Sequence, residues 1–103
     1  MIKIAKPGTK TFTKAVNLTP FEGDPETADI IFKYLPLSEA RALSQGHTVH
    51  SFLEEVIAGW NEADFDAPYS IEALRSLIDY HGAMGSELFS AYFTGLTESR
   101  AKN

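Results

Sequence analysis

A chain of 103 residues and 11.4 kDa fits one domain with a single core and leaves little room for a second. Its 44% hydrophobic and 22% charged residues exclude a disordered or fibrous chain. The absence of cysteine excludes disulfide frameworks, thiol nucleophiles and cysteine-held metal or iron–sulfur sites. Nine basic against fourteen acidic residues, a formal charge of −5, oppose non-specific binding to phosphate backbones.

The expectation is a single domain over 1–103, with a flexible basic arm at 1–10, a hairpin over 11–35 and a helical part over 37–101. Charge is distributed unevenly along it. Lys3, Lys6, Lys10 and Lys14 lie in a start without acids, whereas Glu54, Glu55, Glu62, Asp64, Asp66 and Glu72 follow one another with no intervening base. Met1-Ile2-Lys3-Ile4-Ala5-Lys6-Pro7-Gly8 has no apolar secretory core, and no apolar run approaches the roughly 20 residues that span a bilayer. A soluble, unexported protein is expected.

Thr11 to Leu18 is rich in strand formers and puts Phe12, Val16 and Leu18 on one face, with Lys14 breaking the pattern. Thr19-Pro20-Phe21-Glu22-Gly23-Asp24-Pro25 stacks the residues that preset or permit turn dihedrals. A second strand is expected over Ala28 to Leu35, stopped by Pro36, and the pair reads as an antiparallel hairpin. Such a hairpin is marginal alone, so its apolar face needs helices or another chain.

Beyond Pro36 the apolar period lengthens to that of helices. Ser38 is the expected N-cap of a short helix ending near Gly46, where a positive φ is open to glycine. Thr48 caps the next, in which Phe52, Leu53, Val56, Ile57 and Trp60 form one broad apolar stripe. Asn61 to Tyr69 is an acidic loop containing Pro68. Ser70 caps a third helix bearing Ile71, Leu74, Leu77 and Ile78, closed by His81-Gly82. The last helix runs from about Ala83 to Arg100, with Met84, Leu88, Tyr92 and Leu96 in one row and Phe89 and Phe93 beside it. The fold class is therefore small α+β: an N-terminal β-hairpin packed on about four α-helices.

Catalytic signatures are missing. No GxSxG elbow, GxxxxGK[ST] loop or GxGxxG turn occurs, so neither an enzyme nor a cofactor is expected. His47, His50 and Glu54 could share a helical face as metal ligands, but solvated polar residues near a helix start explain them better. Glu62, Asp64 and Asp66 invite a calcium loop, yet counting from Glu62 the turn glycine is Ala67 and the closing glutamate is Ala73. Phe65, between Asp64 and Asp66, is either tucked back over Trp60 or exposed as a contact, the former favoured.

The order of these segments is similar to that of a known family. A second strand reading Asp29-Ile30-Ile31-Phe32-Lys33-Tyr34, then Val56-Ile57-Ala58-Gly59-Trp60, an acidic loop, Tyr69-Ser70-Ile71-Glu72-Ala73-Leu74 and Leu88-Phe89-Ser90-Ala91-Tyr92 resembles the small tail assembly chaperones of long-tailed bacteriophages. The resemblance covers roughly Phe12 to Asn103. It implies a non-enzymatic protein of the bacterial host cytoplasm, absent from the mature virion, that binds the helical tape measure protein, keeps it soluble and helps recruit tail tube protein.

It also implies a programmed frameshift near the gene's end, with which Ala101-Lys102-Asn103, encodable as GCA-AAA-AAC, is compatible. Aromatic anchors dominate such contacts, which singles out Trp60, Phe65 and Tyr69 for partner binding. No membrane is expected as a partner, and self-association through an exposed strand edge stays open. The competing readings are a small nucleic-acid-binding regulator using the N-terminal basic arm and a structural tail completion protein.

Overall fold

The computed structural model describes residues 10–98; the basic arm with Lys3 and Lys6, and the closing Arg100 to Asn103, lie outside the described residues. Two eight-residue strands, β1 (Thr11–Leu18) and β2 (Glu26–Lys33), pair antiparallel in the register Phe12↔Phe32, Lys14↔Ile30, Val16↔Ala28. Residues two apart share a sheet face, so Phe12, Val16, Leu18, Ala28, Ile30 and Phe32 form one buried surface. The second strand starts and ends two residues earlier than expected, because β1 stops at Leu18 and the register sets its partner to Glu26. Gly23, at φ 102, takes the left-handed position in the turn between them.

Four helices follow: α1 (Leu37–Gln45), α2 (Val49–Val56), α3 (Ile71–Tyr80) and α4 (Met84–Glu98). Thr48 and Ser70 cap as expected, accepting from the backbone N–H groups of Ser51 (3.2 Å) and Ala73 (3.0 Å). Ser38 does not cap. Pro36 occupies the N-cap position of α1 with its fixed φ of −53°, and Ser38 lies inside the first turn. Gly46 ends α1 at φ −92°, its N–H reaching Ala42 and Leu43 carbonyls, so this terminus does not use glycine's positive-φ freedom.

The main departure from expectation is at Ile57. The second helix stops at Val56, and Ile57–Trp60 forms a third strand, β3, on the free edge of β2. Pairing runs Ile30↔Trp60, Ile31↔Gly59 and Phe32↔Ile57, leaving Ala58 as the extra residue of a bulge. Strict alternation would send Ile57 and Trp60 to opposite faces; the bulge restores both to the core side, and both are buried while Ala58 is exposed. A spacing of three that reads as one helical face is here one sheet face with a bulge. Gly59 disfavours helix continuation by about 1 kcal/mol, and pairing satisfies β2 groups otherwise left open.

The core lies between the sheet and the helices, with α4 packed on β1. Tyr92 sits at its centre, its ring 5.8 Å from Phe12, 5.3 Å from Phe32 and 5.5 Å from Phe52. Its hydroxyl donates to the Lys33 carbonyl at 3.0 Å, and burial pushes its pKa up to about 12. Helix α4 comes this close because Gly95 has no side chain: a Cβ there would lie 2.7 Å from Phe12 Cε2. Lys14, on the apolar side of β1, runs past the same glycine and pairs with Glu98, keeping its charge at the surface. At the other end Glu87 accepts from the Thr19 backbone N–H (2.8 Å) and hydroxyl (2.6 Å), tying α4 to the hairpin turn.

Candidate partner-binding groove

Trp60, Phe65 and Tyr69 come together in one aromatic cluster. Trp60 is only 6% exposed. Phe65 stacks on it at 4.1 Å and 18°, and Tyr69 meets it edge-on at 5.0 Å and 88°. Phe65 is thus tucked back over Trp60, as favoured from sequence. The indole N–H donates to the Ala67 carbonyl (3.1 Å), and the Tyr69 hydroxyl donates to the Ile57 carbonyl (3.2 Å). Burial, then the nearby charge of Glu54, raises the Tyr69 pKa.

The acidic loop is held against the sheet by its own polar groups. Asn61 accepts from Ala63 N–H in a short 3-10 turn (Glu62–Asp64), and Asp64 Oδ2 accepts from the Asp29 backbone N–H at 2.9 Å. A carboxylate receiving such a bond is a structural acceptor here. His47, His50 and Glu54 go to separate partners: Ser51 at 3.2 Å, Asp79 at 3.9 Å and Arg75 at 2.8 and 3.0 Å. The Arg75 hydrogen bond holds the Glu54 pKa below its ordinary value. Among the described residues no three His, Cys, Asp or Glu side chains are placed to hold a metal ion.

Trp60, though covered, forms one wall of a cavity. The cavities lie on either side of its cover. One cleft of about 390 Å³ opens between the hairpin turn, the acidic loop and α3, with Leu18, Ala28, Leu77 and Met84 in its lining and Glu26, Asp64 and Asp66 as its acids. A second of about 400 Å³ is walled by Trp60, Ala73, Leu77 and Tyr80. Both include Phe65, Asp66, Leu77 and His81, so they adjoin as two hollows of one groove. Among the described residues, neither hollow is lined by a lysine or arginine.

Two further aromatics were missed by sequence reasoning. Phe21 and Tyr80 are 77% and 72% exposed, and both adjoin His81. Tyr80 precedes it in the chain, while the Phe21 backbone N–H donates to His81 Nδ1 at 2.8 Å. Phe21 in the Pro-Gly-Asp turn carries the same signal as Phe65, an aromatic ring among polar loop residues. Tyr80 falls outside the Leu74 and Ile78 stripe of α3, the other signal available.

The phage tail assembly chaperone family matches the chain over residues 1–103. The chain belongs to that family. No curated protein and no solved structure matches it. The architecture of this family member is α+β, a three-stranded antiparallel sheet packed with four helices, the third strand lying between α2 and α3, and among the described residues no helix is long and apolar enough to cross a membrane.

Proposed function

We propose that this phage tail assembly chaperone binds the tape measure protein of its phage without catalysing a reaction, keeps it soluble in the host cytoplasm, and helps bring tail tube protein to it. The observation that carries the reading is the family match across the whole chain. The physics supports it. A long amphipathic helix exposes an apolar stripe that aggregates, and an acidic domain with formal charge −5 can cover that stripe while its net charge keeps the complex dispersed. Release to the tube protein requires reversible binding, which a small groove provides more readily than an obligate interface.

The test is co-expression with the tape measure protein encoded in the same phage genome. The expected result is a soluble, co-purifying complex, and a tape measure protein that is insoluble when expressed alone. Mass spectrometry of purified virions is expected to lack the chain. A tape measure protein equally insoluble with and without the chain, or the chain present stoichiometrically in virions, refutes the reading; salt-dependent retention on DNA would transfer it to nucleic-acid binding.

A further inference from the structure

The four large apolar side chains exposed among the described residues are Phe21, Leu37, Val49 and Tyr80. The two aromatic ones both stand next to His81, which lines both hollows: Tyr80 precedes it and itself walls the second hollow, while Phe21 follows Pro20 of the first hollow's lining and its backbone N–H donates to His81 Nδ1. Exposed aromatics bordering an apolar recess are the form that energetic anchors of an interface take. The lining acids, Glu26, Asp64 and Asp66, supply the second element, one sign of charge around an apolar floor.

We propose that this groove, with Phe21 and Tyr80 as its anchors, is the docking site for an amphipathic helical segment of the partner that carries lysine or arginine beside its apolar stripe. The proposal rests on the chaperone reading and assigns that binding to a place. Two adjoining hollows suit two successive apolar side chains of a helix, which project from one face at spacings of three or four residues. The charge complementarity selects a basic helix over an acidic one, because like charge brought against the acids of the rim opposes association. Trp60 and Phe65 contribute as the rigid wall that shapes the second hollow, with Tyr69 bracing Trp60 edge-on from behind, while the contact energy falls on Phe21 and Tyr80.

The protein has a single tryptophan, and it walls the groove, so its emission reports occupancy directly. The probe is a designed amphipathic peptide of about 20 residues, long enough to hold a helix, with leucines on one face, lysines flanking them and no tryptophan or tyrosine. Titration is expected to give a saturable change in Trp60 emission that weakens with salt. Phe21→Ala combined with Tyr80→Ala is expected to weaken binding at least about tenfold, and Asp66→Lys to weaken it and reduce the salt dependence. These side chains are exposed, so folding is expected to be retained, checked by circular dichroism.

Undiminished binding in the double variant, or equal binding of a peptide with glutamates in place of the lysines, overturns the proposal. Co-expression with the tape measure protein separates the two levels. If wild type and the double variant solubilise it equally, the groove assignment fails and the chaperone reading stands; if wild type does not, both fail. Concentration-dependent association of the wild-type chain that disappears in the double variant would assign the groove to a second copy, and tighter peptide binding after removal of residues 1–9 would assign it to the chain's own basic segment. Either result overturns the choice of occupant.

Discussion

Gly95→Ala sets two physical effects of opposite sign against each other at a defined place. Alanine in a helix is favoured over glycine by about 1 kcal/mol. The new methyl group, however, would sit 2.7 Å from Phe12 Cε2 and 3.5 Å from Lys14 Cδ. Phe12 is 1% exposed, and its ring is bounded by Phe32 at 5.5 Å, Tyr92 at 5.8 Å and Tyr34 at 6.5 Å, so it has nowhere to retreat without moving the ring cluster or lifting α4. Overpacking of a filled core costs about 1–3 kcal/mol, and the net expectation is destabilisation of about 1 kcal/mol. For a domain of this size that lowers the melting temperature by roughly 4–8 °C, measurable by circular dichroism. Gly82→Ala is the control, since nothing lies within 4 Å of the added carbon; it is expected to leave the melting temperature unchanged or raise it slightly. A Gly95→Ala protein as stable as wild type or more so refutes the claim that this close approach determines the α4–β1 contact.

Three other perturbations follow from the same geometry. The Tyr92 pKa is about 12 in the folded chain against 10.0 for the ordinary phenol, so between these values the unfolded chain gives up its proton first and stability is lost as pH rises; below pH 10 the contribution is fully present. Alkaline urea melts of Tyr92→Phe are expected to lack that loss, on the order of 1–2 kcal/mol, and an identical pH slope in both proteins refutes the assignment. Glu87→Ala removes the acceptor of both Thr19 bonds and is expected to cost about 2 kcal/mol, with faster amide exchange at Thr19; unchanged exchange there would contradict the tie between α4 and the turn. Tyr69→Phe leaves the Ile57 carbonyl without its side-chain donor and is expected to cost about 1 kcal/mol while peptide-induced changes in Trp60 emission persist; abolished peptide binding would show Tyr69 to be a direct contact.

Much of the fold is local physics, and that part is legible along the chain. The strand at Thr11–Leu18, the turn at Gly23, and the caps at Thr48 and Ser70 depend on dihedral preference, side-chain oxygens beside free N–H groups and short apolar periods. So does the buried row Met84, Leu88, Tyr92 and Leu96, because one side of a 15-residue helix carries a repeat too long to mistake. The stacking of Phe65 on Trp60 follows from proximity in sequence and the cost of leaving either ring in water. Even the inward lysine at position 14 announces itself as a break in the alternation.

Long-range pairing decided the rest. Whether Ile57–Trp60 continues a helix or joins a sheet depends on the free edge of β2, some twenty-five residues earlier, and four residues carry too little period to distinguish a helical face from a bulged strand. The groove is likewise absent from any single segment: Phe21 lies in a turn, Tyr80 at a helix end, and the acids lie in a loop and at the start of β2. Their convergence at His81 exists only once the hairpin turn is fastened to α3 and α4 through the Phe21 and Thr19 hydrogen bonds. Sequence alone determined which side chains leave water, since that depends on their chemistry and spacing; tertiary structure alone decided which exposed ones stand together, since that depends on where distant backbone groups find their partners.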